Sequence, residues 1–479
     1  MEKRSSKSPL KGGGVILAAA WTVLFLAGCV GSEDSSTPAS QITVNSPARI
    51  AQESAADYNS NVNGLITGAT LKRWKDDWTN QRPAGITGKL IILQVTTGQA
   101  AAEFVKPVGS NVVTYLSPSS EWVQTRSNGV ITVQSMVPDG AAMDALLKKY
   151  AIDPHNDMIV VAMGTGSTGN AMGQGRIWYA LRYWGVDAKN LALLNGSNDW
   201  QVTSGAMTAG DFDTSASTAP DNGTASVKSL LADNTSLQAT VEDMLAVLPS
   251  RDTNVLNDGV FIWDARSVGQ YSAGEDNGSG SPVANYMTTF QNQGSRQGHP
   301  YGALQLEFTN LLVAGEGWRY KDKADLQAYL DGNVSGAGFI DGTYQGVGAG
   351  NAYQPGDVIY TYCETTFRAM ITGVASAVVL GKPTRFYDGA MVEWNSLSYL
   401  QDKTGNYILP IDSRWRTDTQ SFYRAADDIS KVATRSIDDV YAAHANAIVK
   451  ADQAYKVAGD GSSGGSGGGS VLPPNPCGG

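Results

Sequence analysis

The sequence predicts an α/β chain: two mainly parallel sheets, each with helices on both faces, plus helical N- and C-terminal extensions. Three observations point there. Short apolar, β-branched runs alternate with helical patterns, as crossover connections between parallel strands require. The same order of signals occurs twice along the chain. Charged residues make up 17% of 479 and glycines number 54, which suits a loop-rich globular chain rather than a coiled coil.

The first 28 residues carry Lys3, Arg4, Lys7 and Lys11 against Glu2, a net +3. Val15 to Leu26 is almost wholly apolar. At about a dozen residues it is too short for a stable bilayer span. It ends Leu26-Ala27-Gly28-Cys29, which resembles a bacterial lipoprotein signal. The resemblance implies cleavage of residues 1–28 and acylation of Cys29. Val30 rather than Asp follows, which implies an outer-membrane lipoprotein on the periplasmic face or the cell surface. An ordinary cleaved signal or an uncleaved apolar segment is the competing reading. The net charge is −10, and −13 without the +3 leader, which argues against a nucleic-acid partner.

Residues 29–85 read as a tether followed by a helical cover over 48–85, with Trp74 and Trp78 four apart. A first domain is placed at 86–205. Gly88 to Val95 and Asp157 to Met163 read as buried strands. Residues 141–150 read as a helix, and Gly175 to Trp184 as another closed by Gly185. Leu191 to Leu194 is a short strand leading to Asn195-Gly196…Trp200. The loop from Gly164 to Gly169 spells GxGxxG after a strand. A lone match is weak. The run through Asn170, Met172 and Gly173 reads as a lengthened loop, where a dinucleotide fingerprint leads straight into a helix. Residues 206–250 are placed as the interdomain connection, rich in Ser, Thr, Ala, Gly and Asp over 203–235.

The second domain is placed at 251–400. Val358 to Tyr362 is apolar and β-branched and stops at Cys363; Arg368 and a helical run to Leu380 follow, closed by Gly381. A cysteine where a strand ends and a helix begins meets inward backbone N–H groups, a helix N-terminus and, here, Arg368. All three favour a thiolate. A buried structural cysteine is the bland alternative.

This stretch resembles the rhodanese (sulfurtransferase) family, in which a Cys-initiated six-residue loop carries a persulfide. Here the loop is Cys363, Glu364, Thr365, Thr366, Phe367, Arg368. Tyr387-Asp388-Gly389 and Glu393-Trp394 resemble the family's Asp-Gly…Trp motif. Asp264-Ala265-Arg266 resembles its first-strand Asp-x-Arg, which implies a bracing role for Arg266. Gly298-His299-Pro300 resembles its Gly-His motif, which implies a supporting role for His299. Tyrosine phosphatases place one more residue between Cys and Arg, so the ring here suits a sulfur atom better than a phosphoryl group. Thr366 replaces a Gly common in the family, and Glu364 would repel a dianion such as thiosulfate. The first half resembles the N-terminal copy of tandem rhodaneses and has no cysteine. Arg176 or Arg182 is a candidate to face the site from there.

Gln270 to Arg296 and Gly332 to Gly350 are long polar or glycine-rich stretches, each a candidate cover for the Cys363 pocket. Residues 401–457 read as a C-terminal helical extension, with a helix from Ile437 to Tyr455. Residues 458–479 form a Gly/Ser-rich tail with Cys477, a candidate secondary thiol whose leash reaches roughly 25 Å. The 3 His and 3 Cys show no metal spacing, and neither metal nor cofactor is expected. The resemblance implies a thiosulfate sulfurtransferase-like enzyme with a small sulfur donor and a thiol or cyanide-like acceptor. The alternative is a non-catalytic lipid-anchored component with outer-membrane protein partners.

The lipoprotein ending generates a test. Cys29→Ala should leave the protein unanchored or unprocessed. Unchanged membrane fractionation and unchanged intact mass would exclude acylation at Cys29.

Overall fold

A computed structural model describes residues 42–128, 132–272, 298–397, 400–401, 404–406, 435–436 and 446–458. The leader with Cys29, the insert over 273–297, Arg414 to Thr417, the span 437–445 and the tail with Cys477 lie outside the described residues. Among the described residues no helix is long and apolar enough to cross a membrane.

Ten strands build two five-stranded sheets. The first holds β1 (Gly64–Ile66), β2 (Leu90–Gln94), β3 (Val112–Leu116), β4 (Met158–Met163) and β5 (Leu191–Ser197). The second holds β6 (Gln238–Ala239), β7 (Val260–Asp264), β8 (Leu304–Gln305), β9 (Val358–Tyr362) and β10 (Thr384–Tyr387). The orders are β1-β5-β4-β2-β3 and β6-β10-β9-β7-β8. Numbered within each half, both read first, fifth, fourth, second, third. Every pairing in both sheets is parallel. The duplication read from sequence pattern is therefore a duplication of topology.

The helices that matter here are α1 (Gly68–Asp76), α2 (Gly140–Lys149), α3 (Thr168–Tyr183), α4 (Val241–Val247), α5 (Phe367–Val374), α6 (Ala390–Leu397) and α7 (Ala447–Val457). Strand alternation distributes the core. Leu90 and Ile92 of β2 join Leu71 and Trp74 of α1. Ile91 and Leu93 face the other way, into a cluster with Leu147, Trp178 and Leu181. In the second sheet, Tyr360 and Tyr362 meet Met244 of α4 and Met391 of α6. Ile359 and Cys363 join the same central cluster as Ile91 and Trp178. One apolar core thus runs between the two sheets, with α3 and α5 inside it. Helix α3 can touch α5 because residue 175 is glycine: a Cβ there would lie 2.8 Å from Met370 Cβ.

Several sequence expectations change. The helical cover over 48–85 contains a sheet strand, β1, paired with Ala192–Leu194, so the first sheet starts before residue 86. Likewise the connection over 206–250 contains β6, the edge of the second sheet. Two- and three-residue strands are too short for periodicity to reveal them. Helix α3 starts at Thr168, not Gly175, with Ser167 capping the Asn170 amide at 3.1 Å. The loop before it is four residues, Gly164–Ser167, and is not lengthened. The glycines read as loop signals are helical residues where the helix packs tightly: a Cβ at Gly173 would meet Ser119 at 2.9 Å. The apolar helix after Cys363 ends in a π-helical turn, Ala375–Val379. Its carbonyls at Ala377 and Val379 accept the Gln52 and Ser54 amides, at 2.8 and 3.1 Å. The glycine-rich run 332–350 lines the edge of the second sheet, and its Tyr344 packs edge-on against Tyr271. Ile340 exchanges backbone hydrogen bonds with Gln305 on the sheet edge, and Phe339 packs edge-on against Phe261 and Trp263.

In the C-terminal extension, α7 packs on the first half. Arg126 donates two 2.7 Å hydrogen bonds to Asp452, and Tyr183 donates a third at 2.7 Å. Removing one partner of a buried pair strands the other charge. Asp452→Ala should therefore cost about 3–5 kcal/mol in urea unfolding, with Asp452→Asn costing less because it keeps the shape. A change below about 1 kcal/mol for Asp452→Ala would mean that α7 is not docked through this pair.

Candidate functional site: a buried cysteine at a strand–helix junction

Cys363 follows the last residue of β9 and is fully buried. Cys363, Glu364, Thr365 and Thr366 form the loop, and α5 begins at Phe367. The expected six-residue loop is thus four residues plus the first two of the helix. Thr366 closes it in the left-handed region, φ +65°. That conformation is uncommon for a residue with a branched Cβ and persists only where its surroundings over-determine it. The determinant is visible: Thr366 Oγ1 donates to the carbonyls of Tyr387 and Asp388, at 2.9 and 3.0 Å.

The segment after β10 works as a strap. The Met391 amide donates to Cys363 O at 3.1 Å, and the Val392 amide to Glu364 O at 3.3 Å. These two amides belong to the first turn of α6, whose N–H groups have no intrahelical partner. So the loop carbonyls satisfy orphan donors of α6, and the loop is fixed from its outer side.

The strap is anchored in turn. Arg176 of α3 donates from Nη1 to Asp388 Oδ1 at 2.6 Å and from Nη2 to Asp388 Oδ2 at 3.3 Å. Both side chains are fully buried. Asp388 Oδ2 also accepts the Val137 amide at 2.7 Å, and Arg176 reaches Ser135 O at 2.6 Å. Of the two first-half arginines singled out from sequence, Arg176 approaches the cysteine loop, lying 5.9 Å from the Phe367 ring. Arg182 does not. It binds the carbonyls of Val186 and Ile50, and burial lowers its pKa to about 10.

Glu364 is buried, and its Oε2 lies 3.4 Å from Arg266 Nη1. Its Oε1 has no hydrogen-bond partner among the described residues. Burial pushes its carboxyl up to about 7, opposed by Arg266 and Arg368 and reinforced by a negative charge on Cys363. Arg368 Nη1 donates to Gln270 Oε1 at 2.5 Å. Arg266 grips Asp264 from Nε at 2.9 Å and from Nη2 at 2.6 Å, all within the protein interior. His299 lies under Tyr271, stacked at 3.6 Å, with Nε2 3.0 Å from Asp252 and Nδ1 2.8 Å from Tyr271 O. Thr365 is buried in the loop. A second buried acid, Glu393 on α6, accepts from Asn128 at 2.9 Å, and burial likewise raises it to about 7.

The equivalent place in the first half is empty by construction. Gly164 follows β4 as Cys363 follows β9. A Cβ on Gly164 would lie 2.0 Å from Thr96 O, so no cysteine fits. The mouth of that loop is occupied: a Cβ on Gly166 would meet Trp318 at 3.2 Å. Helix α3 does follow the loop directly, as a dinucleotide fingerprint would require. What closes the loop is the Trp318 segment. Sequence reasoning missed the roles of Asp388, Gln270 and the α6 amides. Asp388 was signalled by its Asp-Gly pair at a strand end. Nothing local signalled the other two. Among the described residues, no three His, Cys, Asp or Glu side chains are grouped to hold a metal ion.

No protein-family model matches the chain, and no curated protein matches it. Solved structures similar to it include the Tum1 protein from Saccharomyces cerevisiae, at 15% identity and a TM-score of 0.47, covering 70% of this chain and 95% of that one. SseA from Escherichia coli, presented with the "rhodanese" fold and mechanism of 3-mercaptopyruvate sulfotransferases, is similar at 17% identity and 0.44, covering 68% and 98%. An anaerobic ergothioneine biosynthesis enzyme from Chlorobium limicola, bound to trimethyl histidine, is similar at 13% and 0.45, covering 69% and 68%.

The raised acid at residue 364 makes a pH prediction. Its ordinary value is 4.5 and its folded value about 7. Between those values the folded chain keeps a proton that the unfolded chain has released. Stability from this group is therefore full below about pH 4.5 and is lost as pH rises through about 7. Glu364→Gln should flatten that fall, measured as urea midpoints across the window. An unchanged slope would mean that Glu364 is ionised in the fold.

Proposed function

We propose that the chain is a rhodanese-type sulfurtransferase that carries sulfane sulfur on Cys363. One observation supports this above the rest. A cysteine opens the four-residue junction of β9 and α5, while the matching position of the other half admits no side chain. The resemblance of Cys363–Arg368, Asp264-Ala265-Arg266 and Tyr387-Asp388-Gly389 to rhodanese motifs supports the same reading. In this reading the two sheets form two rhodanese-like domains, the second of them catalytic.

The Cys363 thiolate attacks the outer sulfur of a donor R–S–S⁻. The donor's S–S bond breaks, R–S⁻ leaves, and Cys363–S–S⁻ forms. An acceptor thiolate then attacks the outer sulfur, which leaves as the acceptor's persulfide while Cys363 regains its thiolate. With cyanide the product is thiocyanate. Arg368, in the first turn of α5, and the helix N-terminus favour the anionic intermediate. Arg266 and Arg368 face Asp264 and Glu364, and with Glu364 protonated up to about pH 7 the set carries one positive charge in excess. That suits a monoanionic persulfide better than a dianion.

A second reading is a non-catalytic rhodanese-fold component of an outer-membrane or cell-surface assembly, anchored through Cys29. The full burial of Cys363 favours it, because rapid turnover needs donor access. Cyanide-dependent turnover of soluble protein separates the two readings.

After incubation with a persulfide or thiosulfate donor, intact mass should rise by about 32 Da, one persulfide sulfur, and fall back on reduction. Cys363→Ser should abolish the gain even with Cys477 present. Arg368→Ala should slow loading roughly 100- to 1,000-fold, as loss of one oxyanion donor does elsewhere, and leave the fold intact. Sulfur gained by Cys363→Ser would move the reactive centre to Cys477.

A further inference from the structure

Each half presents its last strand's end to the other half, and the two ends differ in charge. In the first half, Asn195 Oδ1 accepts the Tyr320 amide at 2.8 Å. In the second, Asp388 Oδ2 accepts the Val137 amide at 2.7 Å. Tyr320 and Val137 each belong to, or directly follow, an antiparallel strand pair of the opposite half. So the corner closes in the same way twice. Counted from Gly164 and from Cys363, the same helix position holds Arg176 in one half and Ala375 in the other. The Asn195 corner has no arginine at that helix position; Arg319, against Gly196, pairs instead with Glu316 and Asp322 of its own half. The charged corner lies under the cysteine loop.

The interface therefore does not need a buried ion pair to close. A fully buried pair brings a large desolvation cost, and a hydrophobic replacement is often as stable. Of the two corners, the one under the cysteine loop carries that cost. Three of the nine described non-glycine residues with positive φ lie at this corner, and Trp318, at +57°, lies at the other. Ser135, Thr366 and Ala390 are non-glycine residues at φ +62°, +65° and +54°. Ser135 accepts from Arg176, Thr366 bonds to the Asp388 carbonyl, and Ala390 opens the helix whose amides hold Cys363 and Glu364. Such strain clusters where surrounding structure dictates geometry at functional sites.

We propose that Arg176, supplied by the half without a cysteine, is a positioning residue for Cys363 chemistry, acting through Asp388 and the strap Tyr387–Val392. The inference rests on Cys363 being the reactive centre, as proposed above. The line of contact is continuous. Arg176 holds the Asp388 carboxylate. The Tyr387 and Asp388 carbonyls hold Thr366, and the α6 amides hold the carbonyls of Cys363 and Glu364. Without the arginine, the strap retains its covalent path but loses its anchor, and the loop's four residues gain freedom.

The test uses the full chain. Arg176→Met with Asp388→Asn removes both charges and keeps the volume, copying the neutral corner. It should fold, with a thermal midpoint near the parent's. Sulfur loading at Cys363 should slow by about tenfold or more, the scale on which lost positioning acts. The pH profile of Cys363 alkylation by iodoacetamide should shift as well. A folded double variant whose loading rate and alkylation profile both lie within about twofold of the parent would overturn the proposal. Arg176→Lys keeps the charge without the two-pronged grip and should recover part of the rate. If the double variant does not fold, Arg176→Lys decides: a reduced rate supports the proposal, and a parental rate overturns it. If the parent gains no sulfur from any donor, the sulfur-transfer reading fails. Alkylation alone then decides the positioning role.

Discussion

The buried contact between Arg176 and Asp388 is the constraint around which the cysteine junction is built. Its energetics are unforgiving, because neither ion meets water and neither can lose its partner cheaply. That forces the first half's α3, the strand pair ending at Met136 and the strap after β10 into one arrangement. Gly175 lets α3 approach α5 closely enough for the next residue to reach across. The result joins two topologically identical halves into a single core. A cysteine on one half is held partly by groups from the other.

The asymmetry between the halves is a matter of space as much as of residue type. At the first junction, Gly164 lies against the backbone of Thr96 and Thr97, and Gly166 lies against Gly317 and Trp318. At the second, the loop carries Cys363, Glu364, Thr365 and Thr366 inside the core, with α6 amides as partners. The same strand–loop–helix geometry serves as a packing corner once and as a thiol cradle once.

Charge balance around Cys363 follows from burial. Asp264 and Glu364 share Arg266, and Arg368 faces Glu364 and Gln270. Inside the protein an isolated ion is costly, so charges enter in compensating sets. Glu364, with one oxygen unpartnered among the described residues, gives way by holding its proton up to about pH 7. A loop built this way accommodates one added negative charge more readily than two. His299, whose motif implied a supporting role, is held by Tyr271 and Asp252.

Much was legible in the sequence alone. Alternating runs such as Leu90–Gln94 and Val358–Tyr362 declare buried parallel strands, because side-chain period and burial on two faces leave few other solutions. The repeated order of signals declares two similar halves, and the end of an apolar run at Cys363 declares a cysteine between a strand and a helix. Asp-Gly at 388–389 marks a strand end. Tertiary structure decided the rest. Strands of two or three residues, Gln238–Ala239 and Gly64–Ile66, exist only through their neighbours' hydrogen bonds. The glycines of α3 read as loop signals until the partner helix that requires them is in place. Which of Arg176 and Arg182 reaches the site was also beyond the sequence. Both lie on one helix, and only the direction of each side chain against the other half separates an anchor of the cysteine loop from a local brace.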